Sequence, residues 1–584
     1  MTKNWDESFD FVIVGSGGGS MCASLVLKEL GRRALIIEKQ ARVGGSTGYS
    51  GGVWWVPNNP LMAREGIPDS YEKARRYLDA AVDRAGNPGP GSSPARREAF
   101  LRTGPEMVSF LERKGMVFER PEGWADYYDD LPGGEPRSRS LVAKLFDVNE
   151  LGAWKERLSM YRGIALPLGS EDFTALFLAK QTWAGKKMAL KLVWRLLKQK
   201  LTGRDYRGGG AAIQGRMLQI ALREKLDIWT DTPVEDLVVE DGRVTGVIAR
   251  RDGRTVRIQG RDGVLINAGG FSRNAEMRRK YQPQPSSDRW TNANPGDTGE
   301  MIETAIRLGA ACDLMDEAWW VVTSLGPGQE LPEGAIAADG SPIPFMHHID
   351  LSFPHSMMVD QLGRRFCDEA GAYMEVGQRL YQRHKETGKC LPAWVILESR
   401  HRDNYLWGTA MAGKTPKSWL DSGYMIKADT LEELAERCGI DWSGLRTEVE
   451  RFNGFCRSGR DEDFNRGGRA FDRYHGDPNV KPNPNLGAIE KGPFYAVRIY
   501  PGDVGTAGGV VTDEHGRVLR PDGSPIPGLY ATGNSTASVV GRCYPGAGAS
   551  IAASFIFAYL AARHAAAQLA HATNPDKQTM EIAT

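Results

Sequence analysis

Two hydrophobic rhythms run along the chain, and the first forty residues contain both. Phe11 to Val14 is an apolar run of buried-strand character, a glycine-rich turn follows, a helical pattern runs to Gly31, and a second apolar run from Ala34 to Ile37 closes on Glu38. That order predicts a strand, a crossover helix and a second strand parallel to the first. Ile228 to Gly260 instead alternates apolar and polar residues and is cut by Asp241-Gly242 and Asp252-Gly253, the pattern of an antiparallel meander with tight turns. Asp262 to Phe271 and Gly528 to Asn534 each read as a strand ending in a glycine turn. The stretch from about 100 to 205 is helical and less regular, and about 570–584 reads as a frayed tail. Between Gly541 and Ala566, one tyrosine and several small residues open directly into a long apolar segment.

A chain of 584 residues, 41% of them apolar, is too long for one core, so two or more domains are expected. Seventy-four basic against 73 acidic residues leave a net charge of +1, which gives no ground for a nucleic-acid partner. Seven cysteines lie scattered without CxxC or Cys/His spacing, arguing against a metal site or a disulfide framework and for a reduced, cytoplasmic setting. The polar N-terminus runs at once into a strand, and no apolar stretch is read as reaching the roughly 18 residues of a membrane span. One segment keeps membrane association open. Residues 185–204 place Met188, Leu190, Leu192, Val193, Leu196 and Leu197 among Lys186, Lys187, Lys191, Arg195, Lys198 and Lys200, a basic amphipathic helix that either packs on the protein or lies on an anionic bilayer.

The glycine turn carries the first chemistry. Gly15 allows a tight turn, Gly17 lets backbone approach a pyrophosphate, and the following helix offers free N–H groups and the positive end of its dipole to that anion, with Ser16 and Gly18 beside it. The third position of the G-x-G-x-x-G pattern is Ser20, a small residue where close packing is needed. Glu38, 23 residues after Gly15, is placed to accept hydrogen bonds from a ribose 2′-OH.

Together with Arg42 to Trp55 (RVGGSTGYSGGVWW) and the two later strand–glycine blocks, this resembles the FAD-binding domain of the fumarate reductase/succinate dehydrogenase flavoprotein superfamily. The resemblance implies FAD. It places Glu38, Lys39, Gly45, Ser46, Thr47, Ser50, Gly51 and Gly52 at the cofactor, along with Val234, Ala268, Gly269, Gly533 and Asn534. It also places there the helix start at Ala549, Ser550 and Ile551. The fold class expected is α/β: a Rossmann-like FAD-binding domain built from discontinuous segments, with an inserted α+β substrate-capping domain. The segments are 1–100, 210–294 and 488–584 for FAD, a helical insertion at 101–209 contributing to the substrate pocket, and the capping domain at 295–487.

Superfamily members acting on dicarboxylates carry an H-G-A-N-R-L-G-type stretch near the C-terminus; here that place reads GRCYPGAGASI. A tyrosine standing where a carboxylate clamp is expected points to a neutral carbonyl. The chain then resembles the 3-ketosteroid Δ1-dehydrogenases and relatives acting on simpler cyclic ketones, through Pro493–Asp513, the Y-P-G-x-G block, Met315–Trp320 and Gly123–Gly134. That resemblance implies that Tyr544 and the Gly548 N–H bind a ketone oxygen and that Tyr127 lies by the α-carbon. Its reaction is α,β-dehydrogenation to the conjugated enone, with an external acceptor, a quinone or another, reoxidising the flavin. Two donors at the oxygen stabilise charge as it forms, and a group of high proton affinity takes the α-proton. The alternatives are an enone or enoate reductase using the same parts in reverse, and a flavoprotein that only shuttles electrons.

Two departures matter. The family carries a base tyrosine shortly before the D-x-x-G-R-R-F run, but Pro344 to Phe366 has His347, His348 and Asp350 and no tyrosine. Tyr206, flanked by Arg204 and Arg207, is the expected base with Tyr127 as its partner; the two histidines and Asp350 stay open as alternatives. Trp124 stands where steroid enzymes carry a smaller phenylalanine, and with Trp319 and Trp320 it favours a narrow pocket and a cyclohexanone-like ring, a 3-ketosteroid being the other possibility.

Overall fold

The strand Glu7–Val14 is buried over its last four residues and forms the centre of an eight-stranded sheet. It pairs in parallel with Ala34–Ile37 on one side and Arg254–Ile266 on the other. The sheet continues to Asp227–Trp229 at one edge and through Pro525–Ala531 to Arg517–Leu519 at the other. The computed structural model describes residues 4–161, 166–326 and 344–572. The central strands are apolar without alternation because both faces of the sheet are covered. Val234–Glu240, Arg243–Arg251 and the start of Arg254–Ile266 form the meander. Both Asp-Gly pairs take positive φ at each residue, which closes two-residue turns whose twist matches the strands.

The helix Gly18–Glu29 lies against the long C-terminal helix Ala549–Ala572. A Cβ on Gly18 would sit 2.3 Å from the Phe555 ring, and one on Gly19 would sit 2.3 Å from the Ser554 carbonyl oxygen. Close packing therefore falls on Gly18 and Gly19. Ser20, expected to serve packing by smallness, instead donates its hydroxyl to the Gly15 carbonyl at 2.8 Å and accepts from the Asn267 amide at 2.8 Å.

A second sheet of six strands contains Ala318–Ser324, Phe345–His347, Ser356–Val359, Ala393–Leu397, Met425–Ala428 and the long Phe494–Thr506, with every pair antiparallel. Alternate residues feed two separate cores: Val395, Leu397 and Val497 face one way, Trp394, Ile396 and Ala496 the other. The protein is thus an α/β fold with a capping sheet.

Three expectations change. The strand Phe494–Thr506 pairs with three capping strands, so the last FAD segment begins after it and not at 488. The helix Pro94–Arg113 runs unbroken through the boundary set at 100 and packs on the C-terminal helix. Finally, Ala549–Gln568 is long and apolar enough to cross a membrane, contrary to the reading that no such stretch exists; here most of it is buried inside the protein as a core helix.

Candidate active site

A single cavity of about 1,020 Å³ starts at the C-terminal ends of the parallel strands, at Gly15, Glu38 and Asn267, and extends to the capping sheet at Val321 and Met346. Ligands of open α/β sheets bind at such strand ends. Gly15, Ser16, Gly17, Gly18, Glu38, Lys39, Val234, Ala268 and Gly269 all line this end. So do Gly45, Ser46, Thr47, Ser50, Gly51, Gly52, Gly533, Asn534, Ser550 and Ile551.

Glu38 is buried, and its carboxylate accepts from the Ser16 N–H at 3.0 Å, the Ser16 hydroxyl at 2.6 Å and the Gln40 N–H at 2.9 Å. Burial pushes its pKa up. The short helix Gly45–Tyr49 is held over the first glycine turn by the Gly18 N–H, which donates to Thr47 Oγ1 at 3.3 Å. Ser46 Oγ accepts from the Asn294 N–H at 3.0 Å and donates to Asp297 at 3.3 Å, whose carboxyl burial pushes up to about 7. Lys39 reaches Thr298 at 2.6 Å and Glu300 at 2.8 Å.

The wall offers unpaired donors to a polar, anionic ligand. The side-chain amide nitrogens of Asn292 and Asn294 are buried in the wall without a hydrogen-bond partner. At the C-terminal helix the intrahelical ladder begins with Ala552 N–H to the Gly548 carbonyl at 3.0 Å, which leaves the amides of Ser550 and Ile551 aimed outward. Ala549 is a correction: it lies outside this wall, and its N–H is taken by the Gly546 carbonyl at 3.2 Å.

At the far end three phenols meet. The rings of Tyr127, Tyr373 and Tyr544 lie 5.6 Å (Tyr127–Tyr373), 5.7 Å (Tyr127–Tyr544) and 5.3 Å (Tyr373–Tyr544) apart, and all three line the cavity. Trp319 stands edge-on to Tyr544 at 5.2 Å. Burial pushes the Tyr127 and Tyr373 phenols well above their ordinary value. Two chain segments are tied together here, because the Tyr127 N–H donates to the Pro545 carbonyl at 3.0 Å and Tyr77 donates its hydroxyl to the same oxygen. Next to Tyr127, buried Asp126 pairs with Arg139 at 2.7 Å and accepts from the Trp55 indole at 2.7 Å.

Gly548 closes this end. It holds φ +89°, and a Cβ there would lie 1.9 Å from the Val53 carbonyl oxygen. Only glycine fits. Its N–H has no acceptor among the described residues, and Tyr544 Oη lies 3.0 Å from Ser550 Oγ.

Tyr206 is not in this group. It sits on the two-residue strand Tyr206–Arg207, outside the cavity wall, with its hydroxyl on the Arg204 guanidinium, while Arg207 is held by Asp205 at 2.7 Å. The expectation that Tyr206 partners Tyr127 is therefore replaced by Tyr373. That residue was missed because a tyrosine was sought before the G-R-R-F run, and Tyr373 follows it, at the first position of the helix Tyr373–Thr387. His347 is sequestered by Asp350 and Ser324, each at 2.7 Å, and stacks on Trp407. His348 lines the cavity, but burial pushes it down to about 4, which keeps it neutral at pH 7. Trp124 and Trp319 line the cavity; Trp320 does not, its indole donating to Glu317 at 2.9 Å, so it narrows nothing.

Residues 10–551 match the family described as FAD binding domain, and FAD is the cofactor. A 3-oxosteroid 1-dehydrogenase of Mycolicibacterium smegmatis is 40% identical over 97% of this chain and 98% of its own length. The chain belongs to the 3-oxosteroid 1-dehydrogenase family. The family also has a solved relative, a 3-ketosteroid Δ1-dehydrogenase from Sterolibacterium denitrificans in complex with 1,4-androstadiene-3,17-dione. That structure superposes with a TM-score of 0.87 at 36% identity, covering 96% of this chain and all of its own. A 4-oxocyclohex-2-ene-1-carboxylate 5-dehydrogenase of Sinomonas cyclohexanicum is 33% identical over 97% of this chain and 95% of its own. The protein is an FAD-dependent dehydrogenase, as its family membership implies.

Proposed function

We propose that the protein desaturates a neutral polycyclic ketone of the 3-ketosteroid class at the carbons α and β to the carbonyl, giving the conjugated enone. The meeting of Tyr127, Tyr373 and Tyr544 in one cavity whose wall also holds Gly548, its amide unpartnered among the described residues, carries this reading. Tyr544 Oη and the Gly548 N–H hold the ketone oxygen and stabilise the negative charge that builds as the α-proton leaves. Tyr373, as phenolate, takes that proton, and Tyr127 donates a hydrogen bond that orients and stabilises it. Bound FAD supplies the two-electron acceptor for the β-hydrogen. An external acceptor, a quinone or a comparable carrier, then turns the enzyme over.

The wall supports this substrate class. The cations that line it, Lys39 and Arg207, are each held by a carboxylate, which leaves no clamp for an anionic substrate among the described residues and argues against fumarate-type reduction. The lining also includes Phe173, Leu176, Phe177, Ile349 and Met411, apolar surface that suits a polycyclic ketone. Anaerobic mixing with a 3-ketosteroid should bleach the flavin much faster than mixing with cyclohexanone. The reverse order would return the substrate to the monocyclic class, and no bleaching by either would end the desaturase reading.

A further inference from the structure

Glu317 lies buried immediately before the strand Ala318–Ser324, and donors from three segments meet on its carboxylate. Oε2 accepts from the Trp320 indole at 2.9 Å and from the Gln378 amide at 3.2 Å, and Oε1 accepts from the Arg542 guanidinium at 2.7 Å. The ring of bonds closes through the backbone, because the Gln378 amide also donates to the Arg542 carbonyl at 2.9 Å. Arg542 has a second carboxylate, the half-exposed Asp316, at 2.9 and 3.0 Å.

Each of these segments carries part of the active site. Trp319, edge-on to Tyr544, precedes Trp320; Gln378 lies on the helix that opens at Tyr373; Arg542 stands two residues before Tyr544. The helix and the strand are seated on each other without help from Glu317. A Cβ on Gly377 would lie 2.4 Å from Trp320 Cβ, and the Tyr381 ring meets Trp320 edge-on at 5.1 Å. Close packing of this kind makes the pair a fixed anchor. The stretch from Gly541 to Gly548 forms neither helix nor strand, so its placement depends on ties to its neighbours. On the far side of Tyr544, the Pro545 carbonyl is held by the Tyr127 N–H at 3.0 Å and by the Tyr77 hydroxyl. On the near side the tie is Arg542 to Glu317, Gln378 and Asp316.

We propose that Glu317 and Gln378 are positioning residues that strap the Tyr544 loop to the anchor formed by Trp320 and the Tyr373–Thr387 helix, and so fix the Tyr544 hydroxyl at the ketone oxygen. What Tyr544 does there rests on the substrate reading above. The site calls for a carboxylate: two oxygens serve three donors, whereas a carboxamide has one acceptor oxygen and would turn its own N–H groups toward donors. With Glu317 neutralised, Arg542 keeps Asp316, so the loop stays attached while its orientation is lost. A misplacement of about 1 Å at a reacting group costs on the order of 10² in rate.

The test is a double-mutant cycle on flavin reduction by a saturating 3-ketosteroid, with FAD content measured for each enzyme. Glu317→Gln should keep its FAD and lose about 10–100-fold in limiting rate. In the Tyr544→Phe background, where no hydroxyl remains to be placed, the same substitution should cost less than about twofold. The climb of the rate with pH, which belongs to Tyr373, should keep its slope in Glu317→Gln. Gln378→Leu, which leaves Glu317 on Arg542, should lose about tenfold and show the same cancellation, and it decides the matter if Glu317→Gln fails to hold flavin. Wild-type rates in both single variants would overturn the proposal. Equal losses in the two backgrounds would also overturn it, making Glu317 a general brace of the fold. A Tyr544→Phe enzyme reduced as fast as wild type would instead end the substrate reading and this proposal with it, so the two failures read differently.

Discussion

Replacing Tyr544 by phenylalanine removes one oxygen and little else. The ring is held by Tyr127 at 5.7 Å, Tyr373 at 5.3 Å and Trp319 at 5.2 Å, contacts that phenylalanine keeps. The hydroxyl's hydrogen-bond partner is Ser550 Oγ at 3.0 Å, so stability should fall by only about 1 kcal/mol. The rate should fall far more. One of two donors to the developing oxyanion is lost while the Gly548 amide stays, and loss of a single such donor costs about 3–4 kcal/mol, or about 10²–10³ in rate. The assay is anaerobic stopped-flow reduction of the flavin at saturating 3-ketosteroid, alongside a measurement of FAD retention. Ser550→Ala serves as the control, because it frees the Tyr544 hydroxyl without removing it and should cost less than about tenfold. A Tyr544→Phe enzyme that reduces flavin within a factor of about three of wild type would refute the oxyanion assignment, and one that loses FAD would show that the residue serves the cofactor instead.

Other expectations follow from the same geometry. Tyr373→Phe should lower flavin reduction by about 10²–10⁴, whereas Tyr206→Phe should leave it near wild type. Because burial holds the Tyr373 phenol above its ordinary value near 10, the active phenolate grows as pH rises. Wild-type reduction should therefore climb about tenfold per pH unit from neutrality through pH 9, and the Tyr373→Phe enzyme should lose that slope. Asp126→Asn removes one of the two buried carboxylates on Arg139, which keeps Asp69, and leaves a single side-chain oxygen where Trp55, Arg139 and the Glu135 N–H now share two, so thermal unfolding should report a loss of about 1–3 kcal/mol. Gly19→Ala would drive a methyl to within 2.3 Å of the Ser554 oxygen and 2.7 Å of Ala558; a cost of about 1–3 kcal/mol and faster FAD release on dilution are expected.

What could be read without coordinates was local in the chain. The turn from Gly15 to Gly18 and the acid at Glu38 form one supersecondary unit whose spacing is dictated by a strand, a turn and a helix, so position in the sequence translates directly into position at the cofactor. The packing role given to Ser20 failed for the complementary reason: the element that crowds Gly18 and Gly19 is a helix more than 500 residues away, and nothing nearby in the chain reports its approach. The boundary at 488 failed in the same way. Phe494–Thr506 looks like one more strand before the last FAD block, and only its pairing with Ala318–Ser324 and Ala393–Leu397 assigns it to the capping sheet.

The base shows where chemical reasoning by neighbours in sequence misleads. Arg204 and Arg207 beside Tyr206 suggested a stabilised phenolate, but one guanidinium faces a half-exposed hydroxyl away from the cavity and the other is already committed to Asp205. Tyr373 has no cation beside it in the sequence, and its surroundings raise its pKa. What qualifies it is place: a phenol ring packed against both Tyr127 and Tyr544, on the cavity that the FAD-binding and capping sheets share. A base with a raised pKa is scarce as phenolate at neutral pH but strong when formed. A proton far less acidic than water calls for that strength, and the two oxygen donors at Tyr544 and Gly548 supply the rest of the driving force. The steep alkaline rise and the loss on Tyr373→Phe are therefore one prediction read twice, and a flat profile together with a normal Tyr206-independent rate in the Tyr373→Phe enzyme would remove both at once.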